Sequence, residues 1–314
     1  MRYRTFGRTG LKISEIGFGA WAIGGVTKGG KSYGSTDDKK SAEAIKKALD
    51  LGCNFFDTAD IYGRGHSEEL VGRALQGIRK DVVIASKVGF DFYNNTPAKP
   101  NFTPEYIKKA IEKSLQRLGT DYIDIYQIHN PPLEVINKRE AIDALFELKK
   151  KGHIRFVGVS IIKPDEALAS IELGVETIQL VYNILKQEHA KEVLPQARGR
   201  GVGIIAREPL ERGILAGKYN ANSKFPDTDI RSIYKPEEWT ERVEKVERLR
   251  FLVKGDIKTM AQAALKFVLA NDVVSTAIPG AKTPEQVADN IAASDAEYLS
   301  KQDMDKIFEI AGKK

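Results

Sequence analysis

The chain has 314 residues, 42% hydrophobic and 29% charged, and carries a formal net charge of +6. So much apolar material excludes a disordered chain, and a single cysteine, Cys53, excludes an intrachain disulfide framework and a thiolate metal cluster. Basic residues alternate with acidic ones, as in "EEWTERVEKVERLR", which marks a solvated helix face rather than a nucleic-acid groove.

In chain order, "YRTFGRTGLKIS" reads as a short hairpin about a glycine turn. Strands are then expected at 16–20, 54–58, 82–87, 122–128, 154–160, 177–181, 203–207 and 275–278. Helical patterns fall between and after them, at 38–51, 67–75, 103–118, 138–151, 164–173, 190–200, 237–253, 260–270, 284–293 and 301–310. "TPEYIKKAIEKSLQRLG" carries a threonine cap, a proline in the first turn and a terminal glycine, and "TPEQ" at 283–286 repeats the same start. Eight strands alternating with helices, with no break in composition, predict an α/β fold. The expected form is a (β/α)8 TIM barrel with an N-terminal β-hairpin and additional C-terminal helices, as one domain over 1–314. The irregular stretch 213–236 is long enough to be a ligand-contacting loop. "GFGAWA" at 17–22 fits a loose dinucleotide fingerprint but runs into a glycine-rich loop instead of a helix, so that reading is rejected. No apolar stretch has signal-peptide or bilayer-spanning length; the expected location is the cytoplasm, without membrane insertion.

The carboxyl ends of barrel strands share one face. The expected strands deliver Asp57, Lys87, His129, Ser160, Gln179 and Arg207 to it, while "DIYGRG" places Tyr62 five residues beyond Asp57. Each alone is ordinary: a turn carboxylate, a solvated lysine, a loop histidine. Together they are costly, because ionisable groups crowded into one mouth need partners or a task. An ammonium beside a phenol is expected to lower its pKa, a carboxylate would hold that ammonium, and a neutral histidine would orient the proton. Such a phenol can protonate a carbonyl oxygen as hydride reaches its carbon.

With these residues in place the chain resembles the aldo-keto reductases. The resemblance is carried by "DTADIYGRGHSEELVG", "ASKVG", "YQIHNP", "GVS", "QLVYN", "REPLERGILAGKY" and "IPGAKTPEQVADN", in the family's order from end to end. It implies an NADP(H)-dependent oxidoreductase reducing aldehyde or ketone carbonyls, with NADPH as cofactor, NADH as the alternative, and no metal. The implied catalytic tetrad is Asp57, Tyr62, Lys87 and His129, with Tyr62 as general acid/base. Ser160 and Gln179 would hold the nicotinamide carboxamide, Pro209, Leu210, Gly213 and Lys218 would line the pyrophosphate, and Trp21 would wall the pocket. Gly280, Lys282, Gln286, Asp289, Asn290 and Arg231 would meet the adenosine end, with Lys282 paired to a 2′-phosphate at a helix start suited to anions. The chain departs from the pattern at Ile161, where the family often has Asn, and at Arg207, where an aromatic commonly stacks on the nicotinamide and where the guanidinium would instead bind the cofactor, over the ring or at a phosphate. It departs again at Gln286, where many members have Arg, and at Asn130, less bulky than the aromatic often found after the histidine. Two other readings stand beside the reductase: a nucleotide-sensing regulatory subunit resembling potassium-channel β subunits, and a Schiff-base lyase using Lys87. Neither the oligomeric state nor the particular carbonyl substrate is written in the sequence.

Overall fold

The computed structural model describes residues 1–27 and 30–312. Eight short apolar segments form one parallel sheet: Phe18–Gly19 (β1), Phe55–Asp57 (β2), Val83–Val88 (β3), Ile123–His129 (β4), Ile154–Ser160 (β5), Thr177–Val181 (β6), Gly203–Arg207 (β7) and Val274–Ala277 (β8). The strands neighbour each other in that order, and the sheet closes on itself. Gly17 N donates to Ala277 O at 2.8 Å and Gly19 N to Pro279 O at 3.1 Å. Glycine is required at this seam, because a Cβ at position 19 would stand 2.7 Å from the Ile278 carbonyl oxygen. The result is the (β/α)8 barrel expected from the alternation of strand and helix patterns.

Outside the sheet lie Asp38–Asp50 (α1), His66–Ala74 (α2), Pro104–Leu118 (α3), Leu133–Lys138 (α4), Glu140–Lys150 (α5), Pro164–Glu172 (α6), His189–Arg200 (α7), Pro236–Arg248 (α8), Met260–Leu269 (α9), Pro284–Asp295 (α10) and Lys301–Ala311 (α11). Helix α3 shows why they form. Thr103 caps it by accepting the Tyr106 N–H, Pro104 opens it, and Gly119 ends it in the left-handed region. Its buried residues, Tyr106, Ile107, Ala110, Ile111, Ser114 and Leu118, repeat at helical spacing. Each fully buried Ile or Leu there contributes about 1.5–3 kcal/mol of transfer free energy. The terminal helix α11 packs Phe308 edge-on to Phe267 of α9.

Three expectations needed correction. The helix expected at 138–151 is α5, which begins only at Glu140, and an unforeseen short helix, α4, precedes it, divided from it by Arg139 at φ 65°. The charged helix expected to reach 253 stops at Arg248 and continues as a tight turn, Arg250–Leu252. The loop after β3 contains an unforeseen antiparallel pair, Phe90–Asp91 with Lys99–Pro100, too short to leave a periodic signal.

The two ends of the barrel are closed differently. The N-terminal hairpin, Tyr3–Thr5 paired with Lys12–Ser14, lies across the amino ends of the strands. From it Phe6 and Ile13 enter the barrel and join Phe55, Val83, Ala85, Ile125, Ile205 and Ile278 in an inner apolar cluster. Phe6 meets Phe55 edge to face at 5.8 Å. At the carboxyl end the inward positions become polar.

Candidate active site

A cleft of about 730 Å³ opens at the carboxyl ends of the strands. Asp57, the last residue of β2, and Lys87, near the end of β3, are both buried there. Lys87 Nζ donates to Asp57 Oδ1 at 2.6 Å, to the Thr58 carbonyl at 2.7 Å and to Tyr62 Oη at 3.4 Å. The ammonium thereby has three acceptors. Burial opposes its charge, but Asp57 and then Tyr62 outweigh that and hold its pKa above the usual lysine range.

Tyr62 reaches this point because its loop folds back over the mouth. Gly63 takes φ 64° and lies so close to Gly24 that a Cβ would meet its carbonyl oxygen at 2.2 Å. The next residue, Arg64, is also left-handed at φ 55°; its guanidinium donates to the Phe92 and Asn95 carbonyls and ties the loop to the β3 connection. The phenol's pKa differs from the expectation. Burial pushes it up, and the pull of Lys87 does not reverse that, so the net direction is upward. At neutral pH Tyr62 is a protonated phenol with an ammonium against its oxygen.

His129, at the end of β4, faces Tyr62 edge-on with ring centroids 5.8 Å apart, and Phe90 packs against its other side at 5.4 Å. Burial, then the charges of Lys87 and Arg207, drive its pKa well below the usual imidazole value, so it is neutral. Trp21 lines the cleft, 4.8 Å from the Tyr33 ring and 6.2 Å from Tyr62.

The remaining positions divide. Gln179 lines the cleft, and its amide N–H also binds Asp57 Oδ2 at 2.6 Å, holding the carboxylate from the side opposite Lys87. Ser160 does not line the cleft: it is buried, and its hydroxyl donates to Asn130 Oδ1 at 3.4 Å. Asn130 takes the half-buried place on the cleft wall in front of it, at φ 55°, in the left-handed conformation that asparagine tolerates. Pro209, Leu210, Gly213 and Lys218 all line the cleft, in a segment where Glu208, Glu211, Arg212 and Gly213 have φ of 51°, 44°, 55° and 88°. Consecutive left-handed residues turn backbone N–H groups toward one side and form anion-binding concavities.

Gly280, Gln286, Asp289, Asn290, Arg231 and Lys282 line the far end. Lys282 Nζ donates to the carbonyls of Tyr33 and Ser35 at 2.6 and 3.0 Å, with Gly34 O at 3.4 Å, so its ammonium is held by the loop after β1. Asp289 accepts from Thr259 and Gln262, and Gln286 accepts the Lys282 N–H, so both carry structural bonds. Arg231 is paired with Asp229 at 2.6 Å and lies over the rings of Tyr219 and Phe225.

Loop pairing across the cleft escaped sequence reasoning. Ser32 N donates to Thr228 O and Ile230 N to Ser32 O, both at 3.0 Å, and Lys31 Nζ reaches Ser232 Oγ at 2.7 Å. The loop 23–36, of which residues 28 and 29 lie outside the described residues, is thus joined to the long loop 213–236. Asp60, in the loop between Asp57 and Tyr62, is fully buried with neither oxygen partnered. Burial and the nearby Glu68 push its pKa well above the usual range. Cys53 is a buried thiol raised to about 11 by desolvation. Among the described residues no group of three or more His, Cys, Asp or Glu is arranged to hold a metal, and no helix is long and apolar enough to cross a membrane.

The lining of the cleft suits an anionic ligand. Eight Lys or Arg side chains against three carboxylates line it, the left-handed segment supplies an anion cradle, and Lys218 has no partner among the described residues. Comparison with known proteins agrees with this geometry. The model of the Aldo/keto reductase family matches residues 15–311. An aldo-keto reductase of Bacillus subtilis, YhdN, is 36% identical over 91% of this chain and 87% of its own. An NADH-specific methylglyoxal reductase of Escherichia coli is 31% identical over 98% of this chain and 100% of its own. The holo form of aldo-keto reductase AKR11C1 from Bacillus halodurans superposes with a TM-score of 0.81 at 32% identity, covering 99% of this chain and 97% of that one. The chain belongs to the aldo/keto reductase family.

Proposed function

We propose that this chain is a nicotinamide-dependent carbonyl reductase, acting as one domain over 1–314 in the cytoplasm on small aldehydes or ketones. The observation that carries the reading is the contact of Tyr62 Oη with Lys87 Nζ at 3.4 Å, in a cleft whose other wall is the neutral His129. A nicotinamide held in this cleft would supply hydride to the carbonyl carbon. Tyr62 then gives its proton to the carbonyl oxygen; its raised pKa keeps the phenol protonated and uncharged until then, and Lys87 stabilises the phenolate that remains. Asp57 and Gln179 fix Lys87 from below. His129, uncharged, hydrogen-bonds the same oxygen and holds it at the phenol without competing for the proton. Asn130 and Gln179 present amides to the carboxamide of the cofactor, with Asn130 replacing the contact that Ser160 and Ile161 do not make.

The cofactor is proposed to be NADPH, with NADH accepted at a small penalty. Lys282 stands at the start of α10, where a 2′-phosphate would lie, but it must exchange loop carbonyls for phosphate oxygens, and Gln286 adds no second cation. The E. coli relative named for NADH specificity supports a weak preference.

The test is loss of reduced-cofactor absorbance with methylglyoxal and a panel of small aldehydes. Tyr62→Phe should lower kcat by at least ~10²-fold while nucleotide binding persists. Wild-type protein that binds NADPH and NADH yet turns over no carbonyl would remove the reductase reading.

A further inference from the structure

Strand β7 ends in Arg207, whose guanidinium stands on the cleft wall formed by β5–β7. Nη2 donates to the Ile161 carbonyl at 3.2 Å and Nη1 to Glu208 Oε1 at 3.1 Å, while Nε is buried without a partner. Only 19% of the side chain is exposed. Glu208 does not neutralise it, because the same carboxylate also faces Arg212 Nε at 3.3 Å. Two guanidiniums therefore share one carboxylate. Across the mouth Lys87 is met by Asp57 and His129 is neutral. One positive charge is left over on this wall. Its field reaches the opposite side, where it lowers the proton affinity of both His129 and Tyr62.

A hydride donor seated between Tyr62 and the β5–β7 wall would face a carbonyl held at that phenol; reaction needs the two carbons within about 3–3.5 Å. We propose that Arg207 is a specificity-determining residue for the oxidation state of the cofactor, holding the uncharged reduced nicotinamide more tightly than the cationic oxidised one. The inference rests on the dinucleotide-dependent reading above. In the transfer, the ring's C–H bond breaks with its electron pair, a C–H bond forms at the carbonyl carbon, and the oxygen takes the Tyr62 proton. The ring gains a positive charge as this happens. A guanidinium beside it opposes that charge, whereas an aromatic face would attract it. Arg207 therefore biases the bound couple toward reduced cofactor, and so toward oxidation of the alcohol, relative to an aromatic at the same place.

The experiment is titration of wild type, Arg207→Met, Arg207→Lys and Glu208→Gln with NADPH, NADP+ and 2′-phospho-ADP-ribose, which lacks the nicotinamide. Arg207→Met should lower the ratio of oxidised to reduced Kd by roughly tenfold, a size set by one partly screened charge. Arg207→Lys should keep the ratio, and Glu208→Gln should raise it. 2′-Phospho-ADP-ribose should bind all four alike, which also shows that the variants fold. An unchanged ratio in Arg207→Met, or equal weakening of all three ligands, overturns the proposal; the second result makes Arg207 a phosphate ligand. If wild type binds none of the three, the dinucleotide reading itself fails and this inference goes with it.

Discussion

The same eight strands end in two opposite chemistries. At their amino ends the hairpin drives Phe6 and Ile13 into the barrel, and the inner cluster there is wholly apolar. At their carboxyl ends, a few residues further along, the inward positions are Asp57, Lys87, Gln127, His129, Gln179 and Arg207, all but Arg207 buried. The apolar end needs only shape and volume. Every group at the polar end is desolvated and must be met by a partner, and several are not: Gln127 has neither amide atom bonded, and His129 Nδ1 is likewise orphaned. Unmet polar groups cost stability, so this end is held together by the other.

Truncating the plug is the largest way to break that contrast. Phe6→Ala removes a ring that contacts Phe55 and packs onto Gly203, and should cost about 3–5 kcal/mol in a denaturant titration. Turnover per folded molecule should be unchanged, because no residue of the mouth moves with it. Lys87→Met attacks the other end. It leaves Asp57 buried without its cation, and a broken buried pair costs about 3–5 kcal/mol; on the proposed mechanism turnover falls as well. Adding Asp57→Asn to Lys87→Met should return most of the stability, since the amide still accepts from Gln179, and none of the turnover. Recovery of both would mean that the pair is structural only.

Legibility in the sequence follows the same division. The barrel strands were readable because parallel strands are short apolar runs with defined neighbours, and strands 154–160, 177–181 and 203–207 begin and end where expected. The strand-end positions of Asp57, Lys87, His129, Gln179 and Arg207 followed from that register. What escaped was set by tertiary packing. Asn130 rather than Ser160 lines the cleft because a left-handed Asn sits across the strand end, and no spacing rule encodes it. The zipper between the loops 23–36 and 213–236 joins segments about two hundred residues apart that have no periodicity. The Tyr62 pKa runs opposite to the direction its charged neighbours predict because desolvation, which depends on tertiary burial, outweighs the ammonium.

Burial at the mouth has a signature in pH, and His129 gives the larger one. Its folded pKa lies well below that of an unfolded histidine, near ~6.5. Below that pH the unfolded chain takes up a proton that the folded chain does not, so stability falls as pH falls, by up to about 1.4 kcal/mol per unit. His129→Gln should flatten the acid limb of a stability–pH curve between about 6 and 4, relative to wild type. An identical limb would mean that the imidazole charges in place, with water admitted to the mouth.

Asp60 must give the opposite sign. Burial and Glu68 raise its folded pKa above the unfolded value near ~4, so above that pH the folded state retains a proton the unfolded state has released. Its contribution is complete below the unfolded pKa and declines as pH rises toward the folded one. Asp60→Asn, which keeps the shape and cannot ionise, should have no advantage at pH 4 and a growing one as pH rises above the unfolded value, on the order of 1 kcal/mol where local relaxation absorbs part of the desolvation. Its backbone N–H still donates to the Lys87 carbonyl at 3.3 Å, so the β2–β3 seam beneath Tyr62 is preserved and turnover should follow wild type. An advantage as large at pH 4 as at pH 8 would show that the gain comes from the new amide's hydrogen bonds. A loss of turnover with unchanged stability would instead draw Asp60 into the chemistry of the mouth.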